Sequence, residues 1–201
     1  MTGEDELMDE DDDMMDEDDS DNTLSGEASL DSMEINSADD DELQEGAEDA
    51  PIAEVTLEFT DGDAEVSRMD ITLTGGPDET DPWDVFETLQ LWVDGDMVAE
   101  ENADDEDDYL DEDAGEFRFS GLDLFFAEDE DVDVIIAVTL QNSLDGVDDG
   151  ETWNVQVDAL RFFDADGVAT TEDTGFDFGS SESFTIEEEG GEEELYRKSV
   201  V

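Results

Sequence analysis

The chain has 201 residues, of which 70 are Asp or Glu and five are Lys or Arg, giving a formal net charge of −65, about −0.32 per residue. It holds no Cys and no His, which excludes disulfide scaffolds, thiol catalysis, His-dependent triads and Cys or His metal sites. Five cations cannot neutralise a phosphate track, so neither nucleic acid nor an anionic membrane is expected as a partner, and no stretch approaches the roughly 18 apolar residues of a membrane-spanning helix.

Residues 1–23 read as an acidic N-terminal arm. Its first 22 residues carry 13 acids and no base, a like-charge block that repels itself and favours a flexible arm. A secretory signal needs a basic start followed by an apolar run. With Met1 as the start, the chain is expected to fold inside a cell without Sec export. Period-2 patterning begins near residue 24, first at Ala28 and Leu30, then at Met33 and Ile35 after an irregularity. Val55, Leu57 and Phe59 follow, then Met69, Ile71 and Leu73, then Phe86 leading to Leu89, Leu91 and Val93. Phe117 and Phe119 precede Leu122, Leu124 and Phe126. The clearest run is Val132, Val134, Ile136, Val138 and Leu140, whose other face carries Ile135 and Ala137 and is also partly apolar. Trp153, Val155 and Val157 come next, then Leu160 and Phe162, and finally Phe184 and Ile186.

Alternation is the strand signature, and no window shows a helical repeat. Pairs such as Asp61-Gly62, Asp94-Gly95, Asp149-Gly150 and Asp166-Gly167 separate the runs and supply the positive φ that tight hairpins require. The expected fold is all-β: a single antiparallel β-sandwich of 7–9 strands, Ig-like or jelly-roll-like, over residues 24–189. Segments 78–84 and 100–114 read as exposed acidic excursions, and residues 190–201 as a C-terminal tail.

The segment Leu89-Gln90-Leu91-Trp92-Val93-Asp94-Gly95-Asp96, the Phe-rich run from Phe117 to Phe126 and the long alternating run from Val132 to Leu140 together resemble the immunoglobulin-like β-sandwich modules of prokaryotic and viral surface proteins. Glu45-Gly46-Ala47 ahead of Ile52 fits the opening of such modules. The resemblance implies a spacer, coat, decoration or adhesive unit; the Cys–Trp–Cys core of antibody domains is absent.

Seventy carboxylates on a globule with roughly 9,000 Å² of surface lie about 11 Å apart, near the Debye length of about 10 Å at 0.1 M salt; near 1 M that length falls to about 3 Å. The composition therefore reads as adaptation to brine, as in halophilic archaea and salt-in bacteria. The rival reading is an acidic binder of basic proteins, a DNA mimic or acidic chaperone. Catalysis has few resources, since the one Lys, Lys198, stands at the end of the sequence, and the expectation is no enzyme and no cofactor. Asp164 and Asp166 begin like a calcium loop, but the twelfth position is Gly175 rather than Glu. The pair reads either as a solvated turn or as a structural site for Ca²⁺, Mg²⁺, Na⁺ or K⁺, with loop 104–113 as a second candidate.

Trp92 is out of phase with Leu91 and Val93, which points it away from the core, toward a sheet edge or a neighbouring subunit. Leu195, Tyr196, Arg197, Lys198, Val200 and Val201 follow a Gly190-Gly191 hinge. They read as a frayed tail or as a peptide that docks on a partner. The functional expectation is a structural protein of a hypersaline assembly, with other structural proteins of that assembly as partners, in a homo-oligomer or on a capsid or tail protein. The missing export signal favours a virion exterior component. The alternatives are a host cell-surface or adhesion module of a halophile and the cytoplasmic acidic binder.

Overall fold

A computed structural model gives the architecture and describes residues 23–75, 81–144 and 150–187. Two sheets face each other across one apolar core. In chain order the strands are β1 (Gly26–Ser37), β2 (Glu42–Gln44), β3 (Ala50–Gly62), β4 (Ala64–Thr74), β5 (Phe86–Val93), β6 (Asp96–Asn102), β7 (Glu116–Phe126), β8 (Asp131–Leu140), β9 (Glu151–Phe163), β10 (Ala169–Glu172) and β11 (Ser181–Glu187). The five-stranded sheet runs β1-β3-β8-β5-β6. The second runs β2-β11-β9-β4-β7, with β10 paired to β9 beyond the end of β11.

The all-β sandwich expected from the alternation is thus present, with two corrections. Eleven strands among the described residues replace the expected seven to nine, because β2, β6 and β10 carry too few inward apolar residues to show a period. The sandwich is also not purely antiparallel, since β2 pairs with β11 in parallel.

Phase slips in the apolar pattern are β-bulges, in which one extra residue shifts the alternation. The slip between Leu30 and Met33 is an irregularity at Asp31. The slip from Phe119 to Leu122 falls where β7 changes register against β4, at Gly121 with φ +70°. The slip from Val157 to Leu160 falls at Asp158, within the single long strand β9. Each bulge lets both halves of its strand keep apolar residues on the core side.

The turn signals divide into two kinds. Asp94-Gly95 closes the β5–β6 hairpin with positive φ at both residues (53° and 84°), as a type I′ turn requires. Asp166-Gly167 closes β9–β10. Asp61-Gly62-Asp63 is no hairpin: β3 and β4 belong to different sheets, and the chain crosses between them there. At that corner Gly62 passes so close to Gly26 that an added Cβ would lie 2.6 Å from backbone carbon. The Asp63 carboxylate accepts from the Ser25 amide (2.9 Å), the Ser25 hydroxyl (2.7 Å) and the Glu128 amide (3.0 Å), tying three segments together.

Aromatic side chains fill the core in groups. Phe59 packs edge-on against Phe162 (4.9 Å between centroids) and is tilted on Phe126 (5.4 Å). Phe86 meets Trp153 at 5.0 Å and Phe184 at 6.3 Å. The 100–114 segment is more than an excursion. Its first residues belong to β6, Ala103 and Tyr109 are buried, and the Tyr109 hydroxyl donates to the Ala103 carbonyl (3.0 Å). Trp83 and Phe117 stack edge-on against Tyr109, so a short aromatic ladder closes that side of the core. Among the described residues no helix is long and apolar enough to cross a membrane.

Candidate functional site

The outer faces of the two sheets carry different side chains. On the five-stranded sheet, register places Trp92, Ile135 and Glu54 on one rung across β5, β8 and β3, and Gln90, Ala137 and Pro51 on the next. Pro51 has no amide to donate, and the β3–β8 register shifts beside it. Pro51, Trp92, Ile135 and Ala137 line a shallow apolar depression of about 240 Å³ with Asp49 and Gly95 at its rim. Neighbouring depressions adjoin it: an apolar one toward Leu43, Ala47 and Ala50 (about 360 Å³) and an acidic one toward Glu54, Asp131 and Asp133 (about 460 Å³). Pro51 lines the first two, and Ile135 lines the first and the last. The result is one groove across the face.

A buried amide organises the groove floor. Gln90 is 1% exposed although it points outward. Its Nε2 lies 2.8 Å from Asp49 Oδ1, 3.1 Å from Thr88 Oγ1 and 3.2 Å from Thr139 Oγ1, while its Oε1 accepts from the Trp92 indole N–H at 3.3 Å. These contacts fix the indole against Ile135 and hold Asp49 at φ +52°, a conformation that non-glycine residues seldom adopt. The groove rim is acidic: Asp39, Asp40, Glu42, Glu54, Asp94 and Asp133 all line it.

The outer face of the second sheet is built differently. All three cations among the described residues, Arg68, Arg118 and Arg161, project from it on β4, β7 and β9. Asp70, 3% exposed, stands opposite Arg118 and accepts a bidentate pair from its Nε and Nη2, both at 2.8 Å. The Arg68 Nε lies 3.4 Å from the same carboxylate. This pairing holds the Arg118 guanidinium above its ordinary value, chiefly through the hydrogen bond to Asp70. Glu116 beside it is pushed up by burial and then by the charges of Asp70 and Asp158. Asp158, the bulged residue, accepts from Thr72 and Gln156. Arg161 covers the half-buried ring of Phe163 at 5.0 Å.

The residues singled out in the sequence are widely separated. Trp92 points to the outer face as its phase requires and sits in the groove. Asp164 and Asp166 lie in the β9–β10 turn, where Asp164 Oδ1 accepts from the amides of Asp166 (3.0 Å) and Val168 (2.9 Å). Among the described residues no group of three acidic side chains converges in a way that would hold a metal ion, in that turn or in loop 104–113. Leu195, Tyr196, Arg197, Lys198, Val200 and Val201 lie outside the described residues, as does the acidic arm up to residue 22. Reading the sequence missed Gln90, Pro51 and Asp49. The partly apolar second face of the 132–140 run is the one signal that could have led to them.

No family model and no curated protein matches the sequence. Among solved structures the chain is similar to AvmM, which catalyses macrocyclization in alchivemycin A biosynthesis, at 13% identity and a TM-score of 0.38 over 87% of this chain and 93% of that one. It is also similar to the major pilin subunit BcpA of Bacillus cereus (9%, 0.27, 82% of this chain and 41% of that one). A third similarity is to ACE19, the collagen-binding subdomain of the Enterococcus faecalis surface protein ACE (10%, 0.25, 77% and 95%). Two of the three are surface proteins. The first is an enzyme, so the expectation of no enzyme is not upheld by these likenesses. At these TM-scores none of the three likenesses carries an activity or a partner over to it.

Proposed function

We propose that this chain is an Ig-like β-sandwich interaction module that works at a cell surface in brine and docks a neighbouring protein through the outer face of its five-stranded sheet. The observation that carries this reading is the groove. On a surface so rich in carboxylates, an apolar patch of Pro51, Trp92 and Ile135 is retained at the cost of exposing apolar area. An interface centre is where such area becomes favourable, at about 25 cal/mol per Å² buried. High salt strengthens this kind of docking by screening the carboxylate rim that would otherwise repel an acidic partner.

The test is a photo-crosslinking amino acid placed at Trp92 and, separately, at Thr72 on the opposite face, in a halophilic host grown and washed in brine. Crosslinks from position 92 to an envelope protein, with none from position 72, support the reading; equal crosslinking from both faces would sink it. Quantitative mass spectrometry of washed envelopes and density-banded virus particles addresses location. Enrichment in envelopes is expected, and enrichment in particles would instead assign the module to a virion exterior.

A further inference from the structure

We propose that residues 195–201 of this same chain dock intramolecularly into the groove on the outer face of the five-stranded sheet. The proposal rests on the reading of that face as a docking surface and names its occupant in the isolated chain. Three observations lead to it.

The first is where the described chain ends. β11 closes at Glu187, whose carbonyl accepts from the Glu45 amide (2.9 Å) and whose carboxylate accepts from Gln44 Nε2 (3.1 Å). Gln44 itself lines the depression at one end of the groove. The seven residues 188–194 reach at most about 25 Å when extended. Pro51 and Trp92 lie on strands only two apart, roughly 10 Å across the sheet. A segment leaving Glu187 therefore starts beside the groove with length enough to cross it.

The second is charge. The groove rim carries carboxylates only, and the three described cations all stand on the opposite sheet. The remaining two cations of the chain, Arg197 and Lys198, sit in segment 195–201. Asp49, Glu54 and Asp94 are the acids they would meet around Trp92, whose ring face also suits a guanidinium.

The third is apolar content. Leu195, Tyr196, Val200 and Val201 flank those cations, so the segment matches the groove in both respects: apolar side chains for the floor and cations for the rim. Acidic residues 188–194 share neither property. Tethering supplies an effective concentration on the order of millimolar, so an affinity too weak to matter between separate molecules suffices here.

Trp92 reports on this directly through its indole N–H resonance, assigned with W92F, while the resonances of Trp83 and Trp153 monitor the fold. The full chain and a truncation lacking residues 195–201 are compared in about 1 M salt, where screening acts over about 3 Å. The expected result is a shift of the Trp92 signal alone on truncation, reversed by a synthetic peptide of residues 195–201 with a Kd on the order of 1 mM. R197E/K198E should reproduce part of the shift, and dilution of the full chain should leave it unchanged. An unmoved Trp92 signal, or failure of the peptide to restore it, overturns the proposal. A signal that changes on dilution assigns the groove to a second copy and overturns it equally. Because the isolated chain is measured, a negative result here leaves the crosslinking test of the docking face standing.

Discussion

The two outer faces of this sandwich share one solvent and one acidic composition, yet they handle polar groups in opposite ways. On the six-stranded sheet the charges are settled internally: Asp70 takes a bidentate bond from Arg118 and lies beside Arg68, Asp158 takes Thr72 and Gln156, and Arg161 covers Phe163. On the five-stranded sheet no described cation takes part: Gln90 is held by its neighbours and Asp133 accepts from Thr56, while Pro51, Trp92 and Ile135 line an apolar depression. The difference shows that the described cations are all spent on architecture on one side, whereas the other side, the proposed docking face, has none of them.

Removing salt should break this comparison most severely. Below about 0.1 M the carboxylates repel over 10 Å or more, and among the described residues the strands of the five-stranded sheet carry no cation to offset them. Hydrogen exchange is expected to show β1 and β6, its two edge strands, losing protection at a higher salt concentration than β7 and β9. Simultaneous loss in both sheets would mean that the arginines of the second sheet give it no local advantage.

Asp70→Ala comes next. It strands Arg118 and Arg68 beside each other on a half-buried face, and leaving a charged hydrogen-bonding group without its partner costs about 3 kcal/mol. Urea unfolding in high salt measures the loss, and a change below about 1 kcal/mol would show that solvent and counterions replace Asp70. Trp92→Ala is the matching change on the other face. It should cost only about 1 kcal/mol of stability while abolishing crosslinks from a probe moved to Glu54 on the same rung, which separates a functional face from a structural one.

How far these faces could be read from the sequence depends on what wrote them. Apolar alternation recorded the core directly, because Val134, Ile136 and Val138 or Trp153, Val155 and Val157 must each face inward, and even the bulges left phase slips at residues 31, 121 and 158. Asp94-Gly95 named its hairpin because both positions need positive φ. What alternation cannot record is which strands pair. The Asp61-Gly62-Asp63 signal marks a crossing between sheets, not a hairpin, and β6 with its pattern of exposed acids has no period to read. The groove was legible only in part. Trp92 and Ile135 stood out by phase, but Gln90 and Pro51 join them through β3, a strand far away in sequence, and only the register brings the two rungs together.

The smallest expected effects concern pH, and they set the two sides against each other once more. Asp63, at the corner that binds β1 to the β7–β8 turn, is held below the usual carboxylate range by the Ser25 hydroxyl first and the Glu128 amide second. A carboxylate lowered in the folded state contributes stability that is present above its unfolded value, about 3.9, and lost as pH falls through the folded one. Glu116, on the arginine-bearing face, is raised, by burial first and by Asp70 and Asp158 after it. Its contribution has the opposite sign: present below about 4.3, the unfolded value, and lost as pH rises through the folded one. Asp63→Asn should therefore remove stability above pH 4 and flatten the acid limb of the stability curve. Glu116→Gln should raise stability at neutral pH by about 0.5 kcal/mol, the scale of a half-exposed substitution, and leave the curve unchanged below about pH 4. Measuring both variants from pH 3 to 7 in high salt decides the matter. If Glu116→Gln lost stability at pH 7, Arg118 would be drawing on Glu116 as a partner, and the charges of that face would be settled by more than Asp70.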